Sequence, residues 1–337
     1  MYICKKIFKV MLNRRILRIK AFKILFSSYI SSDRSLKIAL EELETSCQAT
    51  RDLYLYMLSV ISPLTNIAKE RIESAKNRIN PTEEEKNPNT KFIDNLLTKF
   101  FEEDIDFTKI IQKKKFSWDA YDLYLRKTLT TIMERDYFKK YMASETCSLK
   151  EDCKLFIKIF EDEFVDSPEL EQILEEQSIY WNDDLAYALT QVCTSIKEVG
   201  KSNSWSLPLL YQSEAKLSKA RANGEIISVD DDKAFVNKLL SAGFVNYDKY
   251  RDMVAEAVPS WDKDRMIGTD LSLIILGLSE VVTFPEIPIK VSLNEYVGIS
   301  MFYGGANSKS FVNGLLDRLV KKFEEEGVFT KVGRGLL

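Results

Sequence analysis

The stretch IPIKVSLNE, residues 287–295, and the stretch SKSFVNGLLD, residues 308–317, decide how this chain is read. Pro285 and Pro288 mark a turn before the first, and Gly304–Gly305 marks another before the second. Ser292 followed three residues later by Glu295 has the spacing of a capping box, in which each side chain serves a backbone donor left open at a helix start. A longer helix is expected from Ser308 to about Glu326, because Phe311, Val312, Leu315, Leu316, Leu319 and Phe323 recur at three- and four-residue steps. Gly314 falls inside that pattern. A mid-helix glycine costs about 1 kcal/mol against alanine, so close approach of another helix is expected there.

The 337 residues have room for one large or two ordinary domains, and 45% hydrophobic with 29% charged residues is ordinary for a globular chain. With only 12 glycines and 8 prolines and a helical apolar rhythm, the expected class is all-α. A net charge of −3 argues against general coating of nucleic acid and leaves room for a local basic patch. The chain has no histidine, which removes the commonest general base and zinc ligand. Its five cysteines, Cys4, Cys47, Cys147, Cys153 and Cys193, form no C-x-x-C pair and read as reduced core residues, with no metal site expected. No Walker loop, G-x-G-x-x-G or G-x-S-x-G occurs, so neither a cofactor nor catalysis is expected. The acidic runs Glu102–Asp104 and Asp230–Asp232 read as solvated faces. No apolar run approaches the roughly 18 residues of a membrane span. Lys9 and Arg14 interrupt any signal-peptide core in the basic, apolar opening, and Met11 is an alternative start. A cytoplasmic location is expected.

Residues 14–30, RRILRIKAFKILFSSYI, read as the first helix. Arg14, Arg15 and Arg18 fall within an arc of roughly 100° at its N-terminal end, a basic mouth where open N–H groups and the helix dipole favour phosphate. The alternative is a solvated basic end with no partner. A second helix, capped by Ser32 or Asp33, should run to about Ile61 and stop before Pro63. A third covers Thr65–Ile79, and residues 81–90 form a loop. Beyond it the chain echoes itself. Phe92, Phe156 and Phe235 each open an apolar helix, and Trp118, Trp181 and Trp261 follow them after 26, 25 and 26 residues. Each tryptophan is expected to anchor a junction, with the Asp or Asn after it capping the next helix. Residues 200–232 read as an exposed connection in which Trp205 packs on a neighbour.

The order Glu280…Ile287-Pro288…Lys290-Val291…Asn294-Glu295…Phe311-Val312-Asn313-Gly314…Leu316-Asp317 resembles the C-terminal signature of the NusB family of bacterial transcription antitermination factors. The arginine-rich start leading into Ala21, Leu25 and Tyr29 is similar to the family's opening, and Trp261 with Arg265, then Asp270 to Glu280, to its middle. The resemblance implies NusB-like helical bundles with inserted helices. The expected division is an N-terminal extension (1–13), the basic helix and start of the bundle (14–45), a helical insertion with internal repeats (46–225), a NusB-like C-terminal region (226–327) and a mobile tail (328–337).

The resemblance also implies a function. NusB binds single-stranded boxA RNA together with NusE, a ribosomal small-subunit protein, within the RNA polymerase antitermination complex, chiefly in ribosomal RNA operons. On that reading Arg14, Arg15 and Arg18 contact RNA with Tyr303, Asn307, Ser308 and Lys309, while Asp270 and Glu280 face NusE. Asn294 and Glu295 read equally as internal caps, and Phe311 as a core residue. Ser300-Met301 stands where many members have an Ala-Lys pair, one cation fewer. Two other readings stay open: a non-catalytic RNA-recognition partner of a ribosomal RNA methyltransferase, and a protein-interaction scaffold that has lost RNA binding.

Overall fold

The computed structural model describes residues 11–31, 34–211, 232–258 and 268–337. They form an all-α fold. In chain order the helices are α1 (Arg14–Ile30), α2 (Leu36–Leu58), α3 (Ile61–Lys76), α4 (Glu83–Lys86), α5 (Leu96–Glu103), α6 (Ile105–Lys114), α7 (Asp122–Glu134), α8 (Asp136–Ala143), α9 (Leu149–Ile159), α10 (Pro168–Gln177), α11 (Leu185–Ser202), α12 (Asp232–Ala257), α13 (Gly268–Thr283), α14 (Ile289–Tyr303) and α15 (Ser308–Glu325). The chain folds as two compact units. One is Gln48–Pro208, and the other joins Val10–Cys47 to Leu209–Leu337.

Within Gln48–Pro208, short polar residues set the helix starts. Asn95, Asp104, Ser148 and Ser167 each accept a backbone N–H from the first turn of α5, α6, α9 and α10. The second and third helices divide earlier than expected, at Ser59–Val60. Pro63 lies in the first turn of α3, where its missing N–H is harmless. The loop expected at 81–90 contains one helical turn, α4, held by a reciprocal capping box between Thr82 and Glu85. Trp118 and Trp181 both anchor on the buried Tyr56, with ring centroids 4.4 Å and 5.3 Å away. Their indole N–H groups donate to the Tyr56 carbonyl at 3.3 Å and the Ala49 carbonyl at 2.9 Å. The expected caps differ: neither α7 nor α11 starts on an Asp119 or Asn182 side chain, because a 3₁₀ turn lies at each tryptophan first. Trp261 lies outside the described residues, as do Ser32, Asp33 and Arg265. Trp205 packs on Phe107, and its N–H reaches Tyr54 Oη at 2.9 Å.

The second unit is built around α13, whose residues from Asp270 to Val281 are all buried. Helices α1, α12, α14 and α15 pack against it. Close helix approach occurs at glycines other than Gly314. A Cβ on Gly277 would sit 2.9 Å from Leu316, and one on Gly243 would sit 2.9 Å from Leu276, whereas Gly314 faces open space. Before α1, Met11 and Leu12 donate to the Leu209 and Leu210 carbonyls at 2.7 Å and 3.0 Å, fastening the two stretches of the unit together. The tail expected to be mobile is docked. Lys331 Nζ donates to the Val281 and Phe284 carbonyls at 2.9 Å and 3.0 Å, closing the end of α13, and Val332 N–H donates to the Pro285 carbonyl at 3.1 Å. Burial pushes the Lys331 pKa below its ordinary value, with Glu280 acting in the opposite sense.

Candidate nucleic-acid interface

Helix α1 begins where expected, its first turn capped by Asn13, which accepts the Ile16 N–H at 3.0 Å. Its three arginines go different ways. Arg18 is only 4% exposed and forms a two-pronged pair with Glu280: Nε donates to Oε2 at 2.7 Å and Nη2 to Oε1 at 2.8 Å. Glu280 is 0% exposed and also accepts the hydroxyls of Ser292 at 2.7 Å and Tyr296 at 2.9 Å. Burial alone would lower the Arg18 pKa, but the hydrogen bond and charge of Glu280 carry it above its ordinary value. Burial and the Glu280 charge together hold the Tyr296 phenol neutral, well above its usual range.

This network corrects several expectations. Arg18 faces inward to a carboxylate rather than outward to phosphate. Glu280 and Asp270 have no exposed side for a partner, because α13 is the central helix of its unit. Ser308 is buried too, and its Oγ donates to Asp270 Oδ2 at 2.8 Å. Burial raises the Asp270 carboxyl pKa, the Ser308 bond opposing, and Oδ1 has no hydrogen-bond partner among the described residues. The capping box at Ser292 and Glu295 does not form. Pro288 starts α14 one turn earlier, Ser292 turns to Glu280, and Glu295 pairs with Arg15.

The remaining cations line the two flanks of α1. On one flank, Arg14 is half-buried, its Nε 3.1 Å from Asp232 and its guanidinium 4.8 Å from the centre of the Phe235 ring. It borders an open cleft of about 340 Å³ together with Lys238, Arg334, Phe284 and Pro285. Lys238 Nζ lies 5.4 Å from the Phe284 ring centre, and among the described residues Glu286 is the acidic one in the lining. On the other flank, side chains of α1 reach those of α14. Arg15 Nη1 is 3.3 Å from Glu295, and a Cβ on Gly298 would sit 3.2 Å from the Arg15 guanidinium. One step further along both helices, Tyr303 lies 5.3 Å from Phe22 and 5.5 Å from Lys23 Nζ.

The turn after Tyr303 brings α15 to the same place. Gly304 is required there, since a Cβ would sit 2.3 Å from Ser308 Cβ and 2.7 Å from the Ser300 carbonyl. Asn307 and Lys309 are exposed at this turn, and Lys309 makes no ion pair among the described residues. Beside them Met301 is 57% and Phe302 77% exposed. Of the residues picked from sequence, Arg14, Arg15, Tyr303, Asn307 and Lys309 therefore remain at or near the surface. Lys23, Lys238, Phe302 and Arg334 join them. The Phe302–Tyr303 doublet beside a glycine turn was a visible signal for one of these. Arg334 had none, because nothing local showed that the tail docks.

Cations spaced along a helix, with aromatic faces between them, match the requirements of a single-stranded polynucleotide, whose phosphates need charge and whose bases need flat apolar partners. The NusB family is matched over residues 204–321. The transcription antitermination protein NusB of Desulforudis audaxviator (strain MP104C) is 30% identical over 125 residues, covering 36% of this chain and 91% of that protein. The chain belongs to the NusB family. The NusB of Alkaliphilus oremlandii (strain OhILAs) is 30% identical over 99 residues, 29% of this chain and 70% of that protein. The NusB of Chloroherpeton thalassium (strain ATCC 35110 / GB-78) is 26% identical over 142 residues, 42% of this chain and 67% of that protein. No solved structure matches. The family is thus one of transcription antitermination, and residues 204–321 include α12 to α14 and most of α15. Helix α1, outside that range, completes the same unit by packing on α12 and α13. Among the described residues, no helix is long and apolar enough to cross a membrane.

Proposed function

We propose that this protein is a non-catalytic, RNA-binding transcription antitermination factor that acts with NusE on boxA RNA, chiefly in ribosomal RNA operons. It would join the RNA polymerase antitermination complex in the cytoplasm. The observation that carries the reading is the meeting of α1 with the 304–309 turn in one unit, where Arg15, Lys23 and Lys309 combine charge with the exposed Phe302 ring and the half-buried Tyr303 ring. Phosphate contacts from Arg14, Arg15 and Lys309 would supply affinity, and stacking on Phe302 and Tyr303 would supply tolerance or preference for bases. The Arg14–Phe235–Lys238–Arg334 cleft extends the track on the other flank. NusE contacts must come from residues other than the buried Asp270 and Glu280.

The test is binding of labelled boxA RNA, with and without NusE, at several salt concentrations. Each phosphate engaged on a single strand adds about 0.7 to the slope of log affinity against log salt. The variant Arg15→Glu/Lys309→Glu should lower both affinity and slope, and Phe302→Ala should lower affinity at an unchanged slope. Wild-type binding by both variants would sink the proposal.

A further inference from the structure

The unit Gln48–Pro208 lies almost wholly outside the residues matched to the family, and it carries a surface of its own. A groove of about 620 Å³ runs between α9 and α11. The helices are antiparallel: a Cβ on Gly200, near the end of α11, would sit 3.2 Å from Cys153 and 3.8 Å from the Lys150 backbone, near the start of α9. The floor is apolar, with Ile157, Val165, Ala186 and Leu189. Four lysines rim one end: Lys150 and Lys154 from α9, and Lys197 and Lys201 from α11. Glu161 lies towards the opposite end. Lys150, Lys154 and Lys197 make no ion pair among the described residues, while Lys201 meets Glu198 of its own helix at 3.3 Å. From Lys150 to Val165 the α9 wall, continued by a π-helical turn at Phe160–Phe164, is about 22 Å long.

We propose that this groove receives an amphipathic helix of a partner protein, with acidic residues in its C-terminal turns lying over the four lysines. An apolar trough between two helices accepts the ridge of a third, read as apolar side chains at i, i+3, i+4 and i+7. The lysine end complements both acidic side chains and the negative end of the incoming helix dipole. The acid at the far end disfavours the reverse direction. RNA fits less well, because among the described residues no aromatic ring lines the groove for a base to stack on and the apolar floor would stay uncovered. This docking is independent of the RNA reading, which concerns the other unit.

The test uses the full chain and a fluorescein-labelled peptide of about 16 residues, with leucines at that spacing and glutamates in its last two turns. Controls are the same peptide with lysine for glutamate, a single-stranded RNA, and oleate. Anisotropy should show salt-sensitive binding of the acidic peptide and none of the basic one. Lys150→Glu/Lys154→Glu/Lys197→Glu/Lys201→Glu should weaken it at least about tenfold. Thr190→Trp, which fills the groove at an exposed position, should do the same, and circular dichroism checks that each variant is folded. Failure of the acidic peptide to bind, equal binding of the basic peptide, or binding that survives both variants would overturn the proposal. So would occupation of the groove by the RNA or oleate in preference to the peptide.

Discussion

The buried Arg18–Glu280 pair yields the sharpest prediction, because it separates a structural arginine from an RNA-contacting one. In Arg18→Met, the Glu280 carboxylate stays 0% exposed and keeps only the Ser292 and Tyr296 hydroxyls. Removing one partner of a buried ion pair costs about 3–5 kcal/mol. That is a large share of the roughly 5–15 kcal/mol that holds a domain folded. In the double variant Arg18→Met/Glu280→Leu no charge is stranded. The two hydroxyls then lose their acceptor at about 1–3 kcal/mol each, so recovery is partial and the double-mutant cycle shows strong coupling. Global unfolding of a two-unit chain is not two-state, so the assay is hydrogen–deuterium exchange on peptides from α13. Opening should become about 100- to 4000-fold more frequent in Arg18→Met, since 1.4 kcal/mol is tenfold. At temperatures where the variant is folded, the salt slope of RNA binding should match wild type. The reasoning is refuted if α13 protection is unchanged while the slope falls by about 0.7, the signature of a lost phosphate contact.

Three further outcomes follow from the geometry. Burial raises the Asp270 carboxyl pKa, so its folded-state contribution is fully present below the unfolded value and is lost as pH rises through the folded one. Asp270→Asn should therefore raise the melting temperature at pH 7, and the gain should shrink as pH falls towards about 4. Gly314 faces open space in a helix interior, so Gly314→Ala should stabilise α15 by about 0.5–1 kcal/mol, read as slower exchange of its peptides. Burial, reinforced by Asp152, pushes the Cys153 thiol up to about 12, while Cys147 is exposed. At pH 8 iodoacetamide should label Cys147 well before Cys153, as mapped by mass spectrometry.

The helices were legible wherever one face is apolar at a steady period. Residues 14–30 and the helix from Ser308 follow directly from their own leucines and phenylalanines. The fate of polar residues was less legible, because it is decided by partners far away in the chain. A helical wheel groups Arg14, Arg15 and Arg18 on one arc, yet Glu280, 262 residues on, draws Arg18 alone into the core. The Ser292–Glu295 spacing is that of a capping box, but both side chains had stronger charged or buried partners in Arg15 and Glu280, and the proline set the start instead. Gly314 was given a packing role that belongs to Gly243 and Gly277, whose neighbours come from helices close in space and distant in sequence. The tryptophan anchors were readable from spacing. The landing of Trp118 and Trp181 on Tyr56 was not, since Tyr56 lies in none of the three echoes.

The same logic bears on how RNA would meet this surface. Arg14 and Arg15 are not bare cations: Asp232 lies 3.1 Å from one and Glu295 lies 3.3 Å from the other. A phosphate arriving at either must take the place of a carboxylate already there, or share the guanidinium with it through a free edge. The Arg15–Glu295 pair, 41% and 26% exposed, is of the kind worth about 0–1 kcal/mol, so exchange there is cheap, whereas the Asp232 side chain is 4% exposed and gives up Arg14 at a greater cost. Both carboxylates subtract from the local positive potential. Lys309 has no such companion among the described residues. The first encounter with a polyanion would therefore fall to the α15 end of the site, and Arg15 of α1 would be recruited afterwards by exchange. In that order a chain of net charge −3 would be able to hold a strand locally. It would need few uncompensated cations, and stacking on Phe302 and Tyr303 would set the preference for a strand with accessible bases over one that offers phosphates alone.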